Sequence, residues 1–387
     1  MPTTQELIHP GRELFAPMPA GRTFVNAAYM SPLPLLATEA MQNCITRMAC
    51  PDFGVEDFFG PGDRVRELLA QVVGGPKERF SLTGSASQGT ATIAWNLRLQ
   101  ADELVGKRRR ILGVQGQFPS NVQTWMELAA HGFSFEMVEG GPGASERLIE
   151  QIDEHTALVA TEPLSWTDGR RLDLRAVLGA AKQAGALSLL DVTQSAGADS
   201  AMPDDMHCDI VLAGGYKWLL GPYGTGFMRL TRELQEKLEP LDWNWKNFDG
   251  SSDFNSLGEY RRDFASLAAK FDHGESSAFL RLAGWEAALK TLIQLTPEAI
   301  SAHGRAFADA LCAALPMDKV SFSDFGGGLQ APHLFRITPR DASQFDALSE
   351  SLAAAGVEIS RRDGGWRISP HVYNHGADLE RFVEVLS

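Results

Sequence analysis

Three stretches of this sequence carry side chains of types that do covalent and acid–base chemistry. Asp209-Ile-Val-Leu-Ala-Gly-Gly-Tyr-Lys-Trp-Leu-Leu-Gly-Pro-Tyr-Gly-Thr-Gly-Phe227 runs from an apolar strand through two glycines to Tyr216 and Lys217. An amine at the end of a buried strand is desolvated, which lowers its pKa and favours the neutral form that Schiff-base chemistry needs. Leu187-Ser-Leu-Leu-Asp191 ends in a carboxylate followed by Val-Thr-Gln194. Such a carboxylate pairs with the protonated ring nitrogen of a pyridine cofactor and keeps the ring an electron sink; the plainer reading is an Asp that caps the next turn. Ser81-Leu-Thr-Gly-Ser-Ala-Ser-Gln-Gly-Thr90 follows a further apolar run and opens a helix. Small residues there let backbone N–H groups close on a phosphate at the helix N-terminus. One such loop says little, whereas the order phosphate loop, Asp, Lys is specific.

These groups have to be positioned by the elements around them. Short apolar runs alternate with helical patterns, the signature of a parallel sheet in an α/β fold. The predicted strands are Phe80–Thr83, Arg110–Val114, Phe133–Val138, Leu158–Thr161, Leu187–Asp191, Ile210–Ala213 and Gly226–Leu230. Helical spacing marks Val122–His131 and Leu174–Ala184 between them. Right-handed crossovers place such helices on both faces of the sheet, and ligands bind beyond the carboxyl ends of the strands. Glu239–Leu267 reads as an irregular connection whose Trp243, Trp245 and Phe248 cover a pocket mouth. Helices over Ala278–Leu295, Ile300–Ala314 and Ala377–Leu386, with strands around His333–Ile337 and Glu358–Ser360, suggest a smaller α+β domain.

The composition excludes several functions. Of 387 residues, 35 are Lys or Arg and 49 Asp or Glu, a formal charge of −14 that argues against nucleic acid or an anionic membrane surface as partners. No apolar run reaches the roughly 18 residues of a membrane helix, and Met1–Pro10 lacks the regions of a signal peptide, so a cytoplasmic protein is expected. Cys44, Cys50, Cys208 and Cys312 form no cluster with zinc spacing, and no metal is expected. A nicotinamide dehydrogenase fails for lack of a GxGxxG fingerprint after the first strand.

On these motifs the chain resembles the pyridoxal-phosphate enzymes of the class V aminotransferase family, which includes cysteine desulfurases, kynureninases and isopenicillin-epimerase-like proteins. The resemblance runs from Phe24-Val-Asn-Ala-Ala28 to the final helix. Its most specific parts are Asp191-Val-Thr-Gln194, Tyr216-Lys217-Trp-Leu-Leu-Gly-Pro222 and Trp366-Arg-Ile-Ser-Pro-His-Val-Tyr-Asn374. It implies an α/β chain with the transferase fold of the aspartate aminotransferase type. An N-terminal arm (1–22) would pack near the small domain. A large cofactor-binding domain (23–250) would carry a mostly parallel seven-stranded sheet, and a small C-terminal domain (251–387) would follow. A homodimer with active sites shared at the interface is implied too.

The resemblance assigns roles residue by residue. Lys217 matches the lysine that holds pyridoxal 5′-phosphate in a Schiff base and then moves the α-proton, and Asp191 matches the partner of the pyridine nitrogen. Gln194 matches a residue beside the phenolic oxygen. Ala86 and Ser87 match the phosphate loop, and Tyr216 a further phosphate ligand. Phe118 sits where the family stacks an aromatic on the ring, and Arg367 matches the arginine that grips the substrate's α-carboxylate, with Ala28 as a further substrate contact. Phe271-Asp-His-Gly-Glu-Ser-Ser277 matches the segment that reaches a phosphate in the second subunit. Glu275 stands there in place of the usual Thr, so Ser276 or Ser277 takes the contact, and Ser276 is the expected residue. Pro163 stands nearest to where some relatives place an Asn. The loop Ser360–Trp366 lacks the desulfurase cysteine, which argues against persulfide chemistry. Arg361 and Arg362 are open to two readings, a site for a second carboxylate or solvated surface residues. The expected activity is transamination at Cα of an amino acid. The alternatives are a C–S or C–C lyase, a racemase or epimerase, and a catalytically silent scaffold.

Overall fold

The computed structural model describes residues 7–199, 207–275, 278–323 and 328–387. In chain order, β1 (Thr23–Phe24) precedes helices α1 (Leu35–Ala49) and α2 (Val55–Val73) and strand β2 (Phe80–Thr83). The alternating region follows: α3 (Ala86–Val105), β3 (Arg110–Val114), α4 (Gln123–Met126), β4 (Ser134–Val138), α5 (Ala144–Gln151), β5 (Thr156–Thr161), α6 (Leu174–Ala184), β6 (Leu187–Asp191), β7 (Ile210–Gly214), β8 (Gly226–Leu230) and α7 (Arg232–Lys237). The remainder is α8 (Phe279–Leu295), α9 (Pro297–Ala314), β9 (Val320–Phe322), β10 (Phe335–Pro339), α10 (Phe345–Ala354), β11 (Val357–Glu358), β12 (Ser360–Arg362), β13 (Gly365–Ile368) and α11 (Gly376–Leu386).

Seven strands form one sheet in the order β2-β8-β7-β6-β5-β3-β4. The pairs from β7 through β6, β5 and β3 to β4 are parallel, and β8 runs antiparallel to both β7 and β2. Helices cover both faces, so β2, β5 and β7 are buried along their whole length, which is why these strands read as unbroken apolar runs. The edge strand β4 is mostly exposed. Chain order reverses where β3 and β5 lie side by side, the topological switch point at which open α/β sheets bind their ligands.

Local chemistry sets the element ends. Ser85 caps α3, its Oγ accepting from the Gln88 N–H at 3.2 Å, and Asp173 caps α6 by accepting from Ala176 N at 3.1 Å. Gly185 closes α6 with φ of 69°, which suits glycine. The helix expected over Val122–His131 is shorter: α4 ends at Met126 and the chain tightens into a 3₁₀ turn over Glu127–His131.

A second sheet, β12-β13-β10-β9, is antiparallel, and β1 pairs with β11 in parallel. Ser360–Trp366, expected as a loop, is instead a hairpin of β12 and β13. Asp363 and Gly364 form its two-residue turn, both at positive φ (47° and 71°), as such turns require. Apolar packing does not divide the chain at residue 251. Leu282, Trp285, Leu289 and Leu292 of α8 join the cluster that holds Leu69, Phe80 and Val211, while Phe307, Phe335, Trp366 and Phe382 form a separate core with Leu7 and Val25. No helix among the described residues is long and apolar enough to cross a membrane.

Candidate active site

The carboxyl ends of β3, β5, β6 and β7, together with the loop before α3, enclose a cavity of about 200 Å³. Ala86, Ser87, Phe118, Asp191, Gln194, Tyr216 and Lys217 all line it, so residues spread over 132 positions of sequence meet in one place. A larger cleft, about 590 Å³, lies under the N-terminal arm and shares no lining residue with this one.

Lys217 follows β7 by three residues. Gly215 makes the turn possible: its N–H donates to Thr225 O at 2.7 Å, and a Cβ there would sit 2.5 Å from Thr225 Oγ1 and 3.0 Å from the Trp285 ring. The lysine is 7% exposed, with Nζ 5.3 Å from the Phe118 ring centre and 5.6 Å from that of Tyr216. Burial, reinforced by the Arg367 charge and opposed by Asp191 and Glu162, brings its pKa down to about 8. About a tenth of the amine is therefore neutral at pH 7, several hundredfold more than for a lysine in water.

Asp191, 5% exposed, ends β6. Its Oδ1 accepts from the Thr193 N–H at 3.0 Å, and Thr193 Oγ1 in turn accepts from Gly214 N at 3.0 Å, which ties the carboxylate to the end of β7. Oδ2 accepts from none of the described residues. Burial raises the Asp191 pKa against the effect of the Thr193 hydrogen bonds and the Lys217 charge. A buried carboxylate with one open oxygen calls for a cation or N–H donor, which a protonated pyridine nitrogen supplies. On the same cavity, Ala86 and Ser87 open α3, where first-turn N–H groups lie outside the intrahelical ladder, beside Gly84 and Ser85 in the lining, a setting suited to a phosphate. Phe118 sits at the N-terminus of the turn after β3, with its ring edge-on to Trp166 at 5.4 Å. On these observations the residues fit pyridoxal 5′-phosphate.

Gln194 lines the cavity with its amide pinned: Oε1 accepts from Trp218 Nε1 at 3.0 Å, and Nε2 donates to Ala28 O at 3.1 Å. Ala28 therefore lies behind Gln194 rather than on the cavity wall, held in turn by Ser369 Oγ. Arg367 is not on that wall either. At 1% exposure its Nη1 donates to Trp166 O at 2.9 Å and its guanidinium lies over the Trp166 ring, so it packs on a residue that does line the cavity. Ser276 lies outside the described residues, as does Ser277. Among the described residues no group of three or more His, Cys, Asp or Glu is placed to hold a metal ion.

One member of the site, Glu162, was missed in reading the sequence. It follows β5 as the first residue beyond it, so a carboxylate at the end of a buried strand, the signal that marks Asp191, was there to be read. Its Oε1 accepts from the Phe118 N–H at 2.5 Å, and the Trp166 N–H also bonds to it. Burial, then the neighbouring Asp191 charge, lifts its pKa to about 8. Glu162 thus clamps the two aromatic walls. Glu162→Ala is expected to leave two buried N–H groups unpaired at about 1–3 kcal/mol of stability, whereas Glu162→Gln keeps an acceptor and loses less. Thermal denaturation of the two variants at pH 7 checks the order.

The chain is similar over most of its length to known proteins. The chain is 24% identical over 323 residues to an uncharacterised aminotransferase of Bacillus subtilis, covering 83% of this chain and 82% of that protein. It is 27% identical over 192 residues to a kynureninase of Deinococcus radiodurans, covering 49% and 45% of the two chains. The fold superposes on a cysteine desulfurase of Thermococcus onnurineus with a TM-score of 0.80 at 18% identity, covering 94% and 93%. The profile described as aminotransferase class-V matches residues 62–382. With that match over most of its length, the chain belongs to the class V aminotransferase family.

Proposed function

We propose that this protein is a pyridoxal-phosphate enzyme acting at Cα of a free amino acid, and that its reaction is transamination. The observation that carries this is the convergence of Lys217, Asp191 and the Ala86–Ser87 turn on one cavity. Bound there, the cofactor supplies an aldehyde that captures amines and a ring that draws electrons from Cα. Lys217 would hold the cofactor through its aldehyde carbon, and its Nζ, neutral more readily for being buried, would carry the α-proton from Cα to that carbon, the transfer that transamination requires. Asp191, with Oδ2 open, would hold a proton at the ring nitrogen. Phe118 on the cavity wall would pack against the ring, a contact worth about 0.5–1.5 kcal/mol beyond its burial. Arg367, packed on the Trp166 wall, would hold the α-carboxylate through its guanidinium fork and so fix the orientation of the groups at Cα. The described cysteines support no persulfide step on the β12–β13 hairpin, which contains none.

A homodimer is part of this reading. It is supported by the exposed apolar side chains of α1 (Leu35, Leu36, Ile45 and Met48) and by the exposed Tyr29 and Tyr223, the latter on the cavity wall. Visible absorption of the cofactor-loaded protein, with amino acids added singly, tests the reaction. Conversion of the cofactor band to its amine form, reversed by a keto acid, is the result expected. A persisting band with accumulating ammonia and keto acid would make the enzyme a lyase instead.

The pH dependence of cofactor attachment follows from Lys217. Below a pKa of about 8 the neutral fraction of the amine rises about tenfold per pH unit, so the attachment rate climbs steeply to about pH 8 and then levels. The Arg367 charge repels the protonated amine and helps hold this pKa down, so Arg367→Gln moves the inflection to higher pH. Stopped-flow absorbance across pH 6–10 measures both.

A further inference from the structure

The β12–β13 hairpin gathers arginines on one face. Its two-residue turn fixes the register Ser360↔Arg367 and Arg362↔Gly365, so Arg362 and Arg367 project from the same side and Arg361 from the other. Arg336, directly opposite Arg367 on β10, shares that side. Their partners differ. Arg336 meets Asp363 at 3.4 Å, and Arg361 meets Asp346. Arg362 and Arg367 have no carboxylate partner among the described residues. Arg362 donates to Arg361 O at 2.7 Å, and Arg367 to Trp166 O, Ser360 Oγ at 3.2 Å and Asn26 Oδ1 at 3.4 Å. The Nε of each is buried without an acceptor. Both guanidinium groups lie over the Trp166 ring, at 5.0 Å for Arg362 and 5.9 Å for Arg367, and Trp166 lines the cavity that holds Lys217.

Two guanidinium groups placed side by side repel, and burying them without countercharge is unfavourable unless anions complete the site. One α-carboxylate answers one of them. We propose that the substrate is an amino acid with an acidic side chain, its α-carboxylate held by Arg367 and its second carboxylate by Arg362. This rests on the amino-acid reading above and deepens it. Trp166 forms the shared floor, and the planar forks of the two arginines bind both carboxylates through charge-assisted hydrogen bonds. In a chain of net charge −14, this local positive face also gives a dianion a place to approach.

Calorimetric titration of the cofactor-loaded protein with unreactive acids tests the proposal, using succinate and glutarate against butyrate. Either diacid is expected to bind about ten- to hundredfold more tightly than butyrate, the range that one charge-assisted hydrogen bond supplies. Arg362→Gln should bring the diacids to parity with butyrate, while Arg361→Gln, on the other face and paired with Asp346, should leave the difference in place. Equal affinities in the wild-type protein, or a preference that survives Arg362→Gln, would overturn it. Borohydride labelling of the same preparation separates two kinds of failure. A labelled Lys217 with no diacid preference removes only the substrate class, and an unlabelled Lys217 removes the amino-acid reading with it.

Discussion

Lys217→Ala is expected to abolish turnover, lowering kcat by at least about 10⁴-fold, the upper end of what one positioned acid–base group supplies. The loss should exceed that of any neighbouring substitution, because Nζ has two tasks: it holds the cofactor's aldehyde carbon and it moves the α-proton. No other described lysine lines the cavity, so nothing in the wall takes over. The variant should still fold. Lys217 is held down at a pKa of about 8 because burial disfavours its charge, and removing a disfavoured charge does not weaken the fold through that route. Circular dichroism and a urea transition like those of the wild-type protein, with single-turnover rates reduced as stated, are the combined result. Wild-type rates would contradict the mechanism.

The second large effect concerns stability. Asp272 is buried against Arg66 of α2, with an ion pair between Oδ2 and Nη2, while its Oδ1 accepts from the Leu82 N–H at 2.7 Å. Arg66 also donates to Phe80 O at 3.0 Å and pairs with Asp63 at 2.8 Å. The neighbouring His273 N–H donates to Leu82 O at 3.0 Å, so the segment around Asp272 seals the free edge of β2. Asp272→Ala therefore leaves a buried guanidinium short of countercharge and a strand N–H unpaired. Breaking such a pair from one side costs about 3–5 kcal/mol, a large part of the 5–15 kcal/mol that domains typically possess. Disrupting an exposed pair such as Arg232–Glu236 should change stability by no more than about 1 kcal/mol. Urea denaturation of the two variants side by side gives the comparison. Similar losses would show that the β2 edge is held by other contacts. Because β2 leads directly into the Gly84–Ser87 turn, Asp272→Ala is also expected to weaken cofactor retention.

The strands that carry the chemistry were legible in the sequence with nearly their observed ends. Phe80–Thr83, Arg110–Val114, Leu187–Asp191 and Gly226–Leu230 coincide with β2, β3, β6 and β8. Burial on both faces removes the polar alternation and leaves continuous apolar runs between breakers. Helix α2 was illegible for the opposite reason. Gly60-Pro61-Gly62 reads as loop punctuation, yet the helix continues through Pro61 with α8 packed against it. Tertiary burial overrides a local propensity that is unfavourable by itself.

The cavity divides in the same way. Asp191 and Lys217 were found because a charged group at the end of an apolar strand is conspicuous. Glu162 stands at the equivalent place after β5 but was passed over in favour of its neighbour Pro163, where an amide was sought. Trp166 could not be placed from sequence, since its contact with Arg367 spans 201 residues. The Asp363-Gly364 turn was, like Glu162, a missed signal of a local kind, and it decides which arginines share a face.

The central claim is that Lys217 carries the cofactor. Loading the protein with pyridoxal 5′-phosphate, reducing with borohydride and mapping the fixed label by peptide mass spectrometry tests it most directly. The label is expected on Lys217 alone, and it should be absent from Lys217→Ala. Label on another lysine, or equal labelling of the variant, would contradict the account.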